Sequence, residues 1–145
     1  MKLISNVIAM GCGARYAEAL SLARKAGLTT AQVDSVIRPR RMSNGFYGAV
    51  GQYALHRDET AHRFAISNAA KDMAYLANLA VATGTVNPMQ AAVSNACAAM
   101  AAEGRGHRYV PMPADFIAAR NGLPPPTEAP MKFHRVFSRP KSGPR

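Results

Sequence analysis

The feature that most constrains the fold is an apolar stripe at helical spacing in the first 26 residues. Apolar side chains recur every three or four positions, at Leu3, Val7, Met10, Ala14, Ala17 and Leu20. A stripe of this period predicts one long helix with a single face buried against a core. Gly27 comes directly after it and predicts the end of the helix. The chain is therefore expected to be a bundle built on this N-terminal helix.

The same periodicity returns between residues 66 and 104, in two segments joined by a short link. The first segment has its apolar residues at Ile66, Ala69, Ala70, Met73, Leu76, Ala77 and Ala80. It ends at Gly84, and Asn87-Pro88 predicts the start of the second segment, because asparagine caps helices and proline suits the first helical position. Gly104 is expected to end the second helix. A link this short predicts that the two helices are antiparallel neighbours.

Three shorter segments complete the sequence-based assignment. Thr29 and Gln32 have the spacing of a capping box and predict a short helix that ends before Pro39. Residues 43–63 are expected to form a broken helix, because glycines recur there at every third position. A last short helix is expected around residues 115–118. No strand precedes a Gly-x-Gly-x-x-Gly motif, so the fold class is all-α and no dinucleotide-binding fold is expected within the chain.

Composition divides the chain into two parts. Residues 1–122 are expected to form one all-α domain, while residues 123–145 are rich in proline and basic residues and are expected to be a disordered tail. The net charge of the whole chain is +10. This excess favours anionic ligands, whether nucleotides, acids or nucleic acid, without choosing among them.

Several classes of protein are disfavoured. Residues 73–102 contain no charged side chain, but their asparagine, glutamine, threonine and serine content makes them too polar for a membrane span. The N-terminal helical pattern continues through Arg15 and Glu18, unlike a signal peptide, so a cytoplasmic protein is expected. Cys12 and Cys97 lack a Cys-x-x-Cys spacing and are expected to be buried thiols, although a disulfide between them stays open.

Two pairs of residues are candidates for chemistry. Lys2 and Asn6 lie one turn apart and project from the same side of a helix. An amine beside an amide can take a proton from a hydroxyl and hold the substrate, provided that burial or nearby cations keep the lysine uncharged. Lys71 and Asp72 form the second pair, which either contacts a cofactor or substrate or is a solvated polar edge. The four histidines, His56, His62, His107 and His134, lack ligand spacing, so no metal site is expected.

A series of short motifs across residues 2–122 resembles a known family. The motifs are Lys2-Leu3-Ile4-Ser5-Asn6, then Glu18-Ala19-Leu20 followed by Leu22-Ala23 and Lys25-Ala26-Gly27-Leu28, then Phe64, then Lys71-Asp72-Met73-Ala74 followed by Leu76-Ala77, and finally Pro88. Their order and spacing resemble the C-terminal helical domain of the β-hydroxyacid dehydrogenases. This group includes 3-hydroxyisobutyrate dehydrogenase and is related to 6-phosphogluconate dehydrogenase.

The resemblance implies an all-α domain that packs against a Rossmann domain and forms a homodimer. It implies that Lys2 is the catalytic acid/base in the oxidation of a small 3-hydroxy acid with NAD or NADP, and that Asn6 binds the substrate. It also implies that Lys71 and Asp72 lie beside the cofactor. The dinucleotide-binding half of the family matches no part of this chain, so activity is expected only with a Rossmann domain from a separate chain.

A second hypothesis comes from a different class of protein. The chain would then be a non-catalytic helical dimer module that binds anions or nucleic acid through its basic surface and its tail. No helix-turn-helix pattern and no alternation of aromatic and basic residues supports nucleic-acid binding, so this hypothesis ranks second. A third hypothesis, a degenerate fragment whose apolar surface only binds a dimer partner, stays open.

Overall fold

The computed structural model describes residues 1–124, which form an all-α bundle. The helices are Lys2–Lys25 (α1), Thr30–Ile37 (α2), Gly45–His56 (α3), Ile66–Thr83 (α4), Pro88–Met100 (α5) and Pro113–Arg120 (α6). A short kinked turn at Ala101–Arg105 follows α5, with Gly104 in the left-handed conformation at φ +76°. Within residues 1–124 there is no β-strand, only one isolated bridge between Ala65 and Tyr109. The predicted all-α fold class is confirmed.

The bundle is organised around α1, as its apolar stripe predicts. This helix packs against each of the other five helices of the described chain. Its buried face carries Met10, Ala17 and Leu20. Met10 belongs to the main hydrophobic core, which it shares with Ile66 and Met73 of α4. Burial of this continuous apolar surface, rather than helix propensity alone, stabilises the helix pairs.

Most helix ends lie where local sequence signals place them. The Thr29 side chain accepts a hydrogen bond from the Gln32 amide at 3.1 Å, and the Gln32 side chain accepts one from the Thr29 amide at 2.8 Å. This is the predicted capping box at the start of α2. Gly84 ends α4 in the left-handed conformation, with φ +65°, which glycine adopts without the strain that a side chain would add.

The prediction of a broken helix in residues 43–63 is wrong, because α3 is continuous over its 12 residues. Asn44 caps it by accepting a hydrogen bond from the Tyr47 amide at 2.8 Å. Val50 and Tyr53 lie on the same side as Tyr47, and all three are buried. The burial of two tyrosines and a valine offsets the low helix propensity of the three glycines.

A hydrogen-bonded cluster joins the end of α3 to α6. The buried Tyr53 hydroxyl donates to Asp115 at 2.6 Å, and the Arg57 guanidinium donates to both oxygens of the same carboxylate. Burial alone would raise the pKa of Asp115, but the hydrogen bonds from Arg57 and Tyr53 outweigh it, so this pKa lies below its ordinary value. The cluster fixes α6 against the bundle.

The uncharged segments of α4 and α5 pack against each other within the bundle, although their outer faces expose apolar side chains such as Tyr75 and Val81. The buried Gln90 side chain donates a hydrogen bond of 2.7 Å to the carbonyl oxygen of Met73. In residues 1–124, no helix combines the length and the apolar character that crossing a bilayer requires.

Cys12 and Cys97 are both free thiols, and only Cys97 is buried. The predicted disordered tail lies outside the described residues from position 125 onward.

Candidate active site at the start of the first helix

Lys2 and Asn6 both face Asp72 of α4. The Asn6 side-chain amide donates a hydrogen bond of 2.7 Å to Oδ2 of Asp72. The Lys2 ammonium nitrogen lies 3.9 Å from the same carboxylate oxygen. The one-turn spacing on α1 places both side chains on the side of the helix that meets α4. An amine, an amide and a carboxylate therefore meet at one point on the surface of the bundle.

Asp72 is buried because of its position beside the apolar stripe of α4. It lies three residues after Ala69 and four before Leu76, and both of these neighbours are in the core. Only 4% of the residue is exposed to solvent. A buried carboxylate needs hydrogen-bond donors, and the amide of Asn6 supplies one. The alternative of a solvated polar edge is therefore wrong for Asp72.

Lys2 has a different environment. Its side chain is 77% exposed, so residues 1–124 do not form the enclosure that an uncharged lysine needs. Its distance to Asp72 exceeds that of a hydrogen bond, and an exposed ion pair of this kind stabilises a fold only weakly. Asp72 therefore keeps the amine near Asn6 without immobilising it.

Lys71 lies apart from this cluster. It is exposed on α4, and it forms no ion pair with any carboxylate of the described chain. Consecutive residues of a helix project about 100° apart, so Lys71 and Asp72 point in different directions. The structure thus brings together Lys2, Asn6 and Asp72, and it separates Lys71 from them.

The pairing of Asn6 with Asp72 was not predicted from the sequence. The two residues are 66 positions apart, and no sequence motif contains both of them. One signal was present: Asp72 occupies a helical position whose period places it next to core residues, where a charge needs a partner. No cluster of histidine, cysteine or acidic residues suited to a metal ion occurs within residues 1–124.

The fold matches that of a solved dehydrogenase. The crystal structure of 3-hydroxyisobutyrate dehydrogenase from Salmonella typhimurium aligns with a TM-score of 0.72 and 23% sequence identity, over 79% of this chain and 40% of that one. This likeness defines the class of fold, which is the all-α domain of 3-hydroxyisobutyrate dehydrogenase-like proteins.

The sequence assigns the family. The family described as "NAD-binding of NADP-dependent 3-hydroxyisobutyrate dehydrogenase" matches residues 1–110, and the chain belongs to this family. The predicted membership of the hydroxyacid dehydrogenase group is thereby confirmed. The chain spans 40% of the length of the solved protein that it resembles. No curated protein matches the sequence significantly.

Proposed function

We propose that this chain is the substrate-side helical domain of an NAD(P)-dependent oxidoreductase that acts on small 3-hydroxy acids. The observation that carries the proposal is the convergence of Lys2 and Asn6 on Asp72. Family membership supplies the class of reaction. Lys2 acts as the acid/base, Asn6 binds the substrate, and Asp72 positions Asn6.

The hydrogen bond between Asn6 and Asp72 gives the amide a defined orientation. One N–H of its nitrogen donates to the carboxylate, so the second N–H is left to donate to the oxygen of a substrate hydroxyl. The Lys2 amine, one turn away, removes the proton of that hydroxyl when the carbon is oxidised. In the reverse direction, the ammonium returns the proton to the carbonyl oxygen. When bound, a nicotinamide cofactor would supply the hydride acceptor for this oxidation.

The described residues fit only part of a cofactor site. They contain no strand and no glycine-rich turn of the kind that holds a dinucleotide pyrophosphate. Lys71 is an exposed cation on α4 and is suited to contact the phosphates of NAD or NADP at the edge of such a site. Residues outside 1–124, or a separate Rossmann-domain chain, would hold most of the cofactor and would enclose Lys2.

Exposed apolar side chains next to the site support a covering domain. Tyr75 and Leu79 lie three and seven residues after Asp72, on the same flank of α4. They are 53% and 42% exposed. A Rossmann domain or a second copy of the chain that packs on this flank would bury both side chains and shield the nearby amine from water.

The test is reconstitution with the Rossmann domain of a 3-hydroxyisobutyrate dehydrogenase. Formation of reduced cofactor is followed with 3-hydroxyisobutyrate as the substrate. Lys2→Ala should lower the rate at least about 100-fold, because general acid–base catalysis contributes about 10² to 10⁴. Lys25→Ala is the matched control, since Lys25 is an exposed lysine at the other end of α1, and it should leave the rate unchanged.

A second measurement does not depend on catalytic turnover. The side-chain amide resonances of Asn6 should shift when 3-hydroxyisobutyrate is titrated into the chain and its nucleotide-binding partner. Equal rates in the Lys2→Ala and Lys25→Ala variants, together with unmoved Asn6 resonances, contradict the proposal.

A further inference from the structure

A second site lies between α1, α5 and α6, where the helices line an apolar cavity of about 360 Å³ that is partly open to solvent. Small residues leave this space open: Gly11 and Ala14 on α1 face Ala92 and Ala96 on α5. The ring of Phe116 contributes to the wall from α6. Pockets for small molecules fall in this range of volume and have predominantly apolar walls.

The cavity is distinct from the Lys2 site. Arg15, at its rim, is nine residues after Asn6, which is two and a half turns of α1. Arg15 and Asn6 therefore project from opposite sides of α1. Met10, one turn after Asn6, does line the cavity, but Lys2, Asn6 and Asp72 are not part of its wall. A ligand in the cavity would not contact Lys2 or Asp72.

The charge at the rim indicates the chemistry of the ligand. Arg15 is exposed, and its guanidinium donates to the thioether sulfur of Met89 at 3.6 Å, which is a weak acceptor. It forms no ion pair with any carboxylate within residues 1–124. A guanidinium beside an apolar cavity suits a ligand with an anionic head and an apolar body. Glu18, one turn further along α1, also lines the cavity and would weaken the attraction for an anion.

We propose that this cavity binds a medium-chain carboxylate, with its hydrocarbon chain between α1 and α5 and its head group at Arg15. A cavity of about 150 Å³ takes benzene. In proportion, the volume of about 360 Å³ has room for roughly fourteen carbon atoms. Decanoate fits within this limit and is the probe of choice.

Methionine methyl groups report on the site directly. Met10, Met89 and Met100 line the cavity, whereas Met1 and Met42 are exposed and are not part of its wall. In a chain labelled with ¹³C at the methionine methyl groups, decanoate below its micelle concentration should shift the first three resonances. It should leave those of Met1 and Met42 in place.

Matched variants separate the head group from the hydrocarbon chain. Arg15→Gln should weaken decanoate binding about threefold to fivefold and leave the binding of 1-decanol unchanged, because only the carboxylate pairs with the guanidinium. Arg41→Gln, a change at another exposed arginine, should alter neither. Glu18→Gln should tighten decanoate binding by a similar factor. Ala96→Phe fills the cavity and should abolish the methionine shifts for both ligands, with folding checked by circular dichroism.

Several results overturn the proposal. Shifts of Met1 and Met42 equal to those of the cavity methionines would indicate non-specific adsorption of decanoate. Cavity resonances that move with protein concentration, and not with decanoate, would show that a second copy of the chain fills the space. Equal decanoate affinity in the Arg15→Gln and Arg41→Gln variants would remove the assigned head-group contact. None of these measurements involves Lys2, so they succeed or fail independently of the dehydrogenase proposal.

Discussion

Asp72 should be coupled energetically to Asn6 much more strongly than to Lys2, although both side chains face the same carboxylate oxygen. The perturbation is a set of double-mutant cycles in which Asp72→Ala is combined with Asn6→Ala, Lys2→Ala or Lys71→Ala. The pairwise term of each cycle isolates one contact of the buried carboxylate. The three partners differ in their distance from the carboxylate and in their exposure to solvent, so the structure predicts a different coupling free energy for each cycle.

The magnitudes follow from the geometry. Asn6 is half-buried and donates a hydrogen bond of 2.7 Å to a buried charge, so its coupling to Asp72 should be about 1–2 kcal/mol. Lys2 is 77% exposed and 3.9 Å away, which limits its coupling to at most about 0.5 kcal/mol. Lys71 projects away from the carboxylate, so its cycle is the control, and the coupling free energy between Asp72 and Lys71 should be near zero.

The assay is urea unfolding followed by far-UV circular dichroism, with each free energy of unfolding taken from the midpoint and a shared m value. A coupling of Asp72 to Lys2 that equals or exceeds its coupling to Asn6 would refute this reasoning. So would a coupling to Lys71 larger than about 0.5 kcal/mol. In either case, the carboxylate would have a different partner in solution from the one that the structure shows.

Three further predictions concern the stability of the bundle. The folded-state pKa of Asp115 is lowered, so its stabilising contribution is complete above the unfolded-state pKa of about 3.9 and is lost as the pH falls through the folded-state pKa. The free energy of unfolding of the Asp115→Asn variant should therefore depend less steeply on pH in acid titrations than that of the unaltered chain. An unchanged slope would contradict this prediction. Gly11→Ala should stabilise α1 by up to about 1 kcal/mol, because no atom lies within 4 Å of the added methyl group apart from its chain neighbours and the backbone of its own helix. Gly13→Ala should be less stable than Gly11→Ala by about 1–3 kcal/mol, because its methyl group would lie 2.7 Å from a phenylalanine ring of α3; equal thermal midpoints would refute the close approach.

Local sequence signals were sufficient to predict most of the helices. The apolar stripe that ends near Gly27 predicted α1, and the Thr29–Gln32 capping box predicted the start of α2. These signals act between residues three or four positions apart, which is the range over which helical hydrogen bonds and caps form. The prediction failed for α3, where burial of Tyr47 and Tyr53 against distant elements overrides the glycine spacing.

The candidate site was only half predictable. The spacing of Lys2 and Asn6 predicted that both would project from one side of α1, because the two residues share a helix. The sequence also paired Asp72 with its neighbour Lys71, whereas the tertiary structure pairs it with Asn6. Contacts across 66 residues depend on how two helices pack, and no local pattern encodes that distance.

The amino-acid sequence by itself determined the all-α class, the central role of α1 and the family to which the chain belongs. Only the tertiary structure decided that Asp72 is buried against Asn6, that Lys2 stays exposed, and that small residues on α1 and α5 leave an apolar cavity. The physical reason is the same in each case. Periodicity specifies which face of a helix is buried, but the partner that each side chain meets depends on the packing of whole helices against one another.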